Sequence, residues 1–137
     1  MKPILHLHLL GGFLLVINDV PVTTIDWPRM QSLLAFLVLH CGTPQSRTHL
    51  AFLLWPDSTE EQAHTNLRHL VYRLRHAIPD ANSYLHIHKQ TLHWQPSVPW
   101  VLDVAEFEAA LANADRAEQT GDQMTMRLAL EEAVKLY

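Results

Sequence analysis

One cysteine in 137 residues, Cys41, leaves no internal disulfide possible and fits a reducing cytoplasm. Long apolar runs are missing as well, and none reaches the roughly 18 residues of a membrane span. The most apolar stretch, residues 4–17, is broken by His6, His8 and the Gly11-Gly12 pair. A single Lys precedes it and no small-residue cleavage site follows, so a secretory signal is not expected. The chain also lacks a phosphate-cradling glycine loop, an HExxH pair, paired carboxylates in an apolar frame and any Ser, His and acidic set resembling a triad. Those absences exclude the common hydrolytic and nucleotide-using classes. No catalytic residue and no cofactor is expected.

What is present is unevenly distributed. Formal net charge is -4, yet residues 1–98 hold seven Lys and Arg against six Asp and Glu, together with all ten histidines. Residues 99–137 hold three bases against eight acids. A near-neutral, His-rich body with an acidic tail implies two tasks in one chain, divided as 1–98 and 99–137.

Leu5, Leu7 and Leu9 alternate with His6 and His8, the period of a half-buried strand. A second strand is expected over 13–17. Asn18-Asp19 then signals a two-residue hairpin into a third over 20–24. Helices follow: one opened by Pro28 and ended by Cys41-Gly42, and one capped by Ser46 and stopped by Trp55-Pro56. A third, over 59–78, is opened by Ser58 and Glu61 as a capping box. A hairpin over 84–94 comes next, with Leu85, Ile87 and Leu92 inward and Lys89-Gln90 at its tip. Gln95 to Pro99 has the composition of a linker. Beyond it, Asp103 with Glu106 predicts a helix to Ala117, and another follows Thr120-Gly121-Asp122. Their apolar stripes are Val104, Phe107, Leu111 and Ala114, then Met126, Ala129, Leu130, Ala133, Val134 and Tyr137. This pair is expected to dock on the N-terminal sheet side of the winged helix, away from His69 and Arg73, with self-association through the same surface as the alternative. The expected fold class is α+β: an N-terminal antiparallel sheet, a winged helix-turn-helix with a C-terminal wing hairpin, and an α-helical pair.

The 59–78 helix carries the chemistry. Ala63, Leu67, Leu70, Val71, Leu74 and Ile78 share one stripe, and Thr65, His69, Tyr72 and His76 oppose it, flanked by Gln62, Asn66, Arg68 and Arg73. From His64 to His76 there are three Arg and three His and no acid. Arg can bond two guanine acceptors, Asn pairs with adenine, and Thr and Tyr reach phosphates. The candidate DNA-binding residues are Thr65, Asn66, Arg68, His69, Tyr72, Arg73, Arg75 and His76, with Arg29, Arg47 and, on the wing, Lys89. A solvated polar face is the plain alternative, and a winged helix that binds protein instead of DNA is the rival function. His6 with His8, and His86 with His88 and His93, form at most half-sites for a metal. Zinc needs three or four ligands, so no metal site is expected.

Four stretches in order, LHLLGGFLLVINDVPV, LLAFLVLHCGTPQSRTHLAFLLWPD, EEQAHTNLRHLVYRLRHAI and LDVAEFEAAL, resemble the SARP/AfsR-type bacterial transcriptional regulators. The most specific part is LLWPD followed by QA-x-x-NLR-x-x-x-x-RLR. The resemblance implies an OmpR/PhoB-like winged helix that binds direct repeats in double-stranded promoter DNA, as an activator and as a homodimer on DNA. The helix holding Asn66 to Arg68 and Arg73 to Arg75 would be its recognition helix. It further implies the start of a tetratricopeptide-like bacterial transcriptional activation domain over 99–137, RNA polymerase as a partner, and a cytoplasmic location away from membranes. Relatives commonly hold Lys or Arg at two or more of the positions occupied here by Arg29, Met30 and Gln31, which implies a weaker phosphate contact there.

Overall fold

The computed structural model describes residues 4–136. In chain order its elements begin with strands β1 (Leu5–His8), β2 (Leu14–Ile17) and β3 (Val20–Pro21) and helix α1 (Pro28–Leu39). Strand β4 (Gln45–Ser46) and helices α2 (Arg47–Leu54) and α3 (Glu60–Ala77) follow. A 3-10 turn, Ala81–Ser83, leads into β5 (Leu85–Ile87), β6 (Thr91–Trp94) and β7 (Trp100–Leu102). Helices α4 (Asp103–Thr120) and α5 (Gln123–Leu136) complete the chain. The fold is mixed α+β, as expected. It divides into two compact units: the residues through Pro21 with those from Pro99 onward, and Val22–Val98.

In the first unit, β1 and β2 pair antiparallel, with Leu5 opposite Ile17 and Leu7 opposite Leu15 on the buried face. Asn18 and Asp19 both have positive φ, 51° and 65°, the conformation of the turn expected there. Strand β3 ends at Pro21, short of the expected residue 24, because proline has no N–H for the ladder. The sheet is not purely antiparallel. Strand β7, unexpected from the sequence, pairs parallel to β1 and gives the order β3-β2-β1-β7.

Asp103 begins α4, as its pairing with Glu106 predicts, but its side chain does not cap the helix. The N-cap position is Leu102, and the Asp103 carboxylate turns to accept the backbone N–H of Leu9 (2.9 and 3.1 Å) and of Leu10 (2.9 Å). Only 4% exposed, it ties the end of β1 to the start of α4. Helix α4 lies against β1 and β7, the docking expected of it. The expected stripes are buried only in part. Ala114, Ala129 and Ala133 are buried, joined by Ala110 and Ala117, while Leu111, Leu130 and Val134 are exposed. Helices α4 and α5 pack on one another. Tyr137 lies outside the described residues.

In the second unit α1, α2 and α3 enclose a core of Leu33, Leu34, Leu37, Leu50, Leu67 and Leu74. The Thr59 hydroxyl caps α3 by accepting from Gln62 N (3.1 Å), one residue later than the expected Ser58 box. Ser46 caps α2 as expected, accepting from His49 N at 3.3 Å. Strands β5 and β6 form the expected hairpin, closed by His88 N donating to Thr91 O. The unexpected β4 adds a third strand beside β6, in the order β4-β6-β5.

Asp103→Ala should lower stability by about 1.5–3 kcal/mol, the usual worth of hydrogen bonds to a charged group, and Asp103→Asn by less because one acceptor remains. Urea unfolding of the two variants checks both values. A second expectation concerns Asp122, which accepts from the Thr125 hydroxyl (2.6 Å) and amide (3.1 Å). The Thr125 side-chain bond, then its backbone bond, hold this carboxyl below its ordinary value. A depressed carboxyl stabilises above the ordinary Asp range near ~3.9 and loses that effect as pH falls through its lower folded value. The Thr125 amide shift should therefore titrate on acidification in the native chain and stay flat in Asp122→Asn.

Candidate nucleic-acid interface

Helix α3 is amphipathic because its apolar residues recur at three and four. Ala63, Leu67, Leu70, Val71 and Leu74 are buried, and Ile78 beyond them closes the same stripe. At about 100° per residue the opposite surface has a centre and two flanks. Thr65, Tyr72 and His76 occupy the centre, Tyr72 being 64% exposed. His76 folds back on it, its Nδ1 2.8 Å from the Tyr72 carbonyl and the two ring centroids 4.2 Å apart.

One flank holds Asn66, His69 and Arg73. The Arg73 guanidinium lies over the indole of Trp27, 3.8 Å from the ring centroid. Across from it, Arg29 in the first turn of α1 stands 5.4 Å from the centroid of Trp55. These side chains, with Pro28 and Leu70, line an open groove of about 770 Å³ between α1 and α3. Asn66 Oδ1 accepts from Gln62 Nε2 at 2.8 Å, which leaves Asn66 its amide N–H donors and one lone pair of Oδ1.

The other flank holds Arg68 and Arg75, both exposed. Arg47, at the start of α2, is half-buried and fastens the wing: its Nε donates to His88 O (2.9 Å) and its backbone N–H to Gln90 O (3.0 Å). Burial first, and then the charge of Arg68, push the Arg47 guanidinium below its ordinary value. Two like charges are thus held near one another at an electrostatic cost. Lys89 is exposed on the hairpin tip. Among the described residues the sole ion pair is Arg127 with Glu131, so no carboxylate is paired with these arginines.

The structure thus gathers Arg29, Asn66, His69 and Arg73 in one groove and leaves Arg47 within reach of the charge of Arg68. Thr65 is half-buried. Trp27 and Trp55 were missed, although each stands next to a proline at a helix end, where an indole meets the neighbouring helix. Among the described residues no three His, Cys, Asp or Glu side chains converge to hold a metal, and His93 Nε2 sits 2.8 Å from Cys41 O. No described helix is long and apolar enough to cross a membrane.

No family model matches the chain, and no curated protein matches its sequence. Among solved structures, Mycobacterium tuberculosis EmbR in complex with a low affinity phosphopeptide is similar over 99% of this chain, with a TM-score of 0.78 and 21% identity. The chain spans 36% of the length of that EmbR chain. The likeness shows the fold, a winged-helix-like α+β arrangement with its N-terminal sheet and five helices.

Arg47→Ala removes the guanidinium bond to His88 O and keeps the backbone bond to Gln90. Hydrogen exchange at the hairpin tip should speed up several-fold while global stability changes by no more than about 1 kcal/mol, the ordinary worth of one hydrogen bond. Exchange measured by NMR on the two chains checks this.

Proposed function

We propose that the protein is a transcriptional regulator that binds double-stranded DNA in a sequence-specific way, with α3 in the major groove and the 84–94 hairpin as a wing. The single observation that carries the reading is the pair of cationic flanks on α3, with no acid between Gln62 and His76. A helix lying in a groove about 12 Å wide is bordered by two phosphate backbones, one along each flank, with base edges below its centre. Arg73 with Arg29, and Arg68 with Arg47, supply the flanks; Thr65, Tyr72 and His76 supply the centre. The fold likeness to EmbR, a SARP-family regulator, supports the same reading.

In this proposal residues 1–98 perform DNA binding and 99–137 are the first helices of a tetratricopeptide-like activation domain that engages RNA polymerase. The N-terminal sheet shares a compact unit with α4 and α5, so the boundary at 98 divides tasks and not bodies. The protein acts in the cytoplasm as an activator and pairs on direct repeats, without catalysis.

Fluorescence anisotropy with a mixed-sequence duplex at low salt tests the proposal. Binding should weaken steeply as salt rises. Arg68→Ala should cost several-fold, Lys89→Ala should weaken all sequences about equally, and two half-sites in tandem should bind more tightly than one. Absence of duplex binding at low salt would favour a winged helix that recognises protein.

A further inference from the structure

We infer that the groove between α1 and α3 seats the sugar–phosphate backbone of one DNA strand, with Trp27 positioning Arg73 for a phosphate and not for a base. The inference rests on the DNA-binding reading and specifies which atoms of the duplex this flank touches.

The argument begins with the stack. A guanidinium lying on an indole face 3.8 Å from its centroid has one face covered, and its N–H donors point outward in its own plane. Arg73 is thereby held at the flank of α3, away from the central line through Thr65, Tyr72 and His76 that would lie over base edges. Arg29 points into the same groove from the α1 side. Asn66 adds amide donors to the same lining, its Oδ1 already accepting one bond from Gln62 Nε2. No carboxylate lines the groove.

The lining is therefore of two kinds. Donors from Arg29, Asn66 and Arg73 suit anionic oxygens, while the indoles, Pro28 and Leu70 suit the apolar carbons of a deoxyribose. A phosphodiester with its sugar has both. Arg73 covers the ring of Trp27, so that indole is not open for an unpaired base to stack on. This favours a duplex backbone over a single strand as the occupant. Pre-ordering of Arg73 also offsets the shortage of bases at Met30 and Gln31, because a side chain that is already placed loses less freedom on binding.

Four single variants of the full chain and one double variant, each first shown to be folded by circular dichroism, test this on a duplex library with a randomised core. Arg73→Gln should lower affinity several-fold, reduce the slope of log affinity against log salt by about 1, and leave the base-preference profile unchanged. Trp27→Ala should weaken binding several-fold in the native background and hardly at all in the Arg73→Gln background, since it acts through Arg73. Trp27→Phe, which keeps a ring, should restore most of the loss. Arg73→Lys keeps the charge without the planar stack and should fall between native and Arg73→Gln. A changed base preference in Arg73→Gln at constant salt slope would make Arg73 a base reader and overturn the inference. Additive effects of Trp27→Ala and Arg73→Gln would reduce Trp27 to a structural role and overturn it too. Tighter, Trp27-dependent binding of single-stranded DNA would also defeat it. In all three cases DNA binding survives, whereas failure of the native chain to bind any duplex at low salt removes both readings together.

Discussion

Burial of one stripe along α3 is the constraint from which the second unit follows. Leu67, Leu70, Val71 and Leu74 must leave water, and α1 and α2 are the elements that cover them. Each fully buried Leu or Val is worth about 1.5–3 kcal/mol of transfer free energy, far more than any exposed charge contact on the same helix. Once that stripe is fixed, the 3.6-residue period leaves no choice about what faces outward. The polar surface of α3 is a consequence of its apolar one.

The outward surface is unusual in how it manages charge. Proteins commonly hold arginines with carboxylates. Here Arg73 lies on an indole, Arg29 stands near another, and Arg47 is held by a backbone carbonyl within reach of the charge of Arg68. These partners orient a guanidinium without neutralising it. An exposed cation–π contact contributes only about 0.5–1 kcal/mol, so it restricts the side chain while leaving its charge available to an incoming anion. Order without neutralisation is what an anion-binding surface requires.

What was legible in the sequence was local. The α3 stripe, the Asn18-Asp19 turn and the wing alternation repeat at short range, and each lies where its period places it. The misses are non-local or degenerate. Strands β4 and β7 are two and three residues long, too short for a period, and exist only through pairing with β6 and β1. The cap of α3 was misplaced by one because Ser58 with Glu61 and Thr59 with Gln62 both satisfy the same spacing. Most candidate site residues were legible as a group on one helix face. Which of them share a groove was not, since the Trp27–Arg73 stack joins two helices far apart in sequence.

The bond between Asp103 and the end of β1 spans 94 positions along the chain, and β7 closes the second edge of β1 from the same distance. During synthesis from the N-terminus at about 5–20 residues per second, β1 therefore waits roughly 5–20 s for these partners to be made. The unit Val22–Val98 is contiguous, so every residue it needs has been synthesised before Asp103 is added. Topology sets an order of synthesis in which residues 22–98 are complete before β1 can meet β7 and Asp103. Until they meet, β1 carries an open edge, a template for pairing with another chain, so the vulnerable period of this protein's life is written into the sequence separation of two hydrogen-bonded residues.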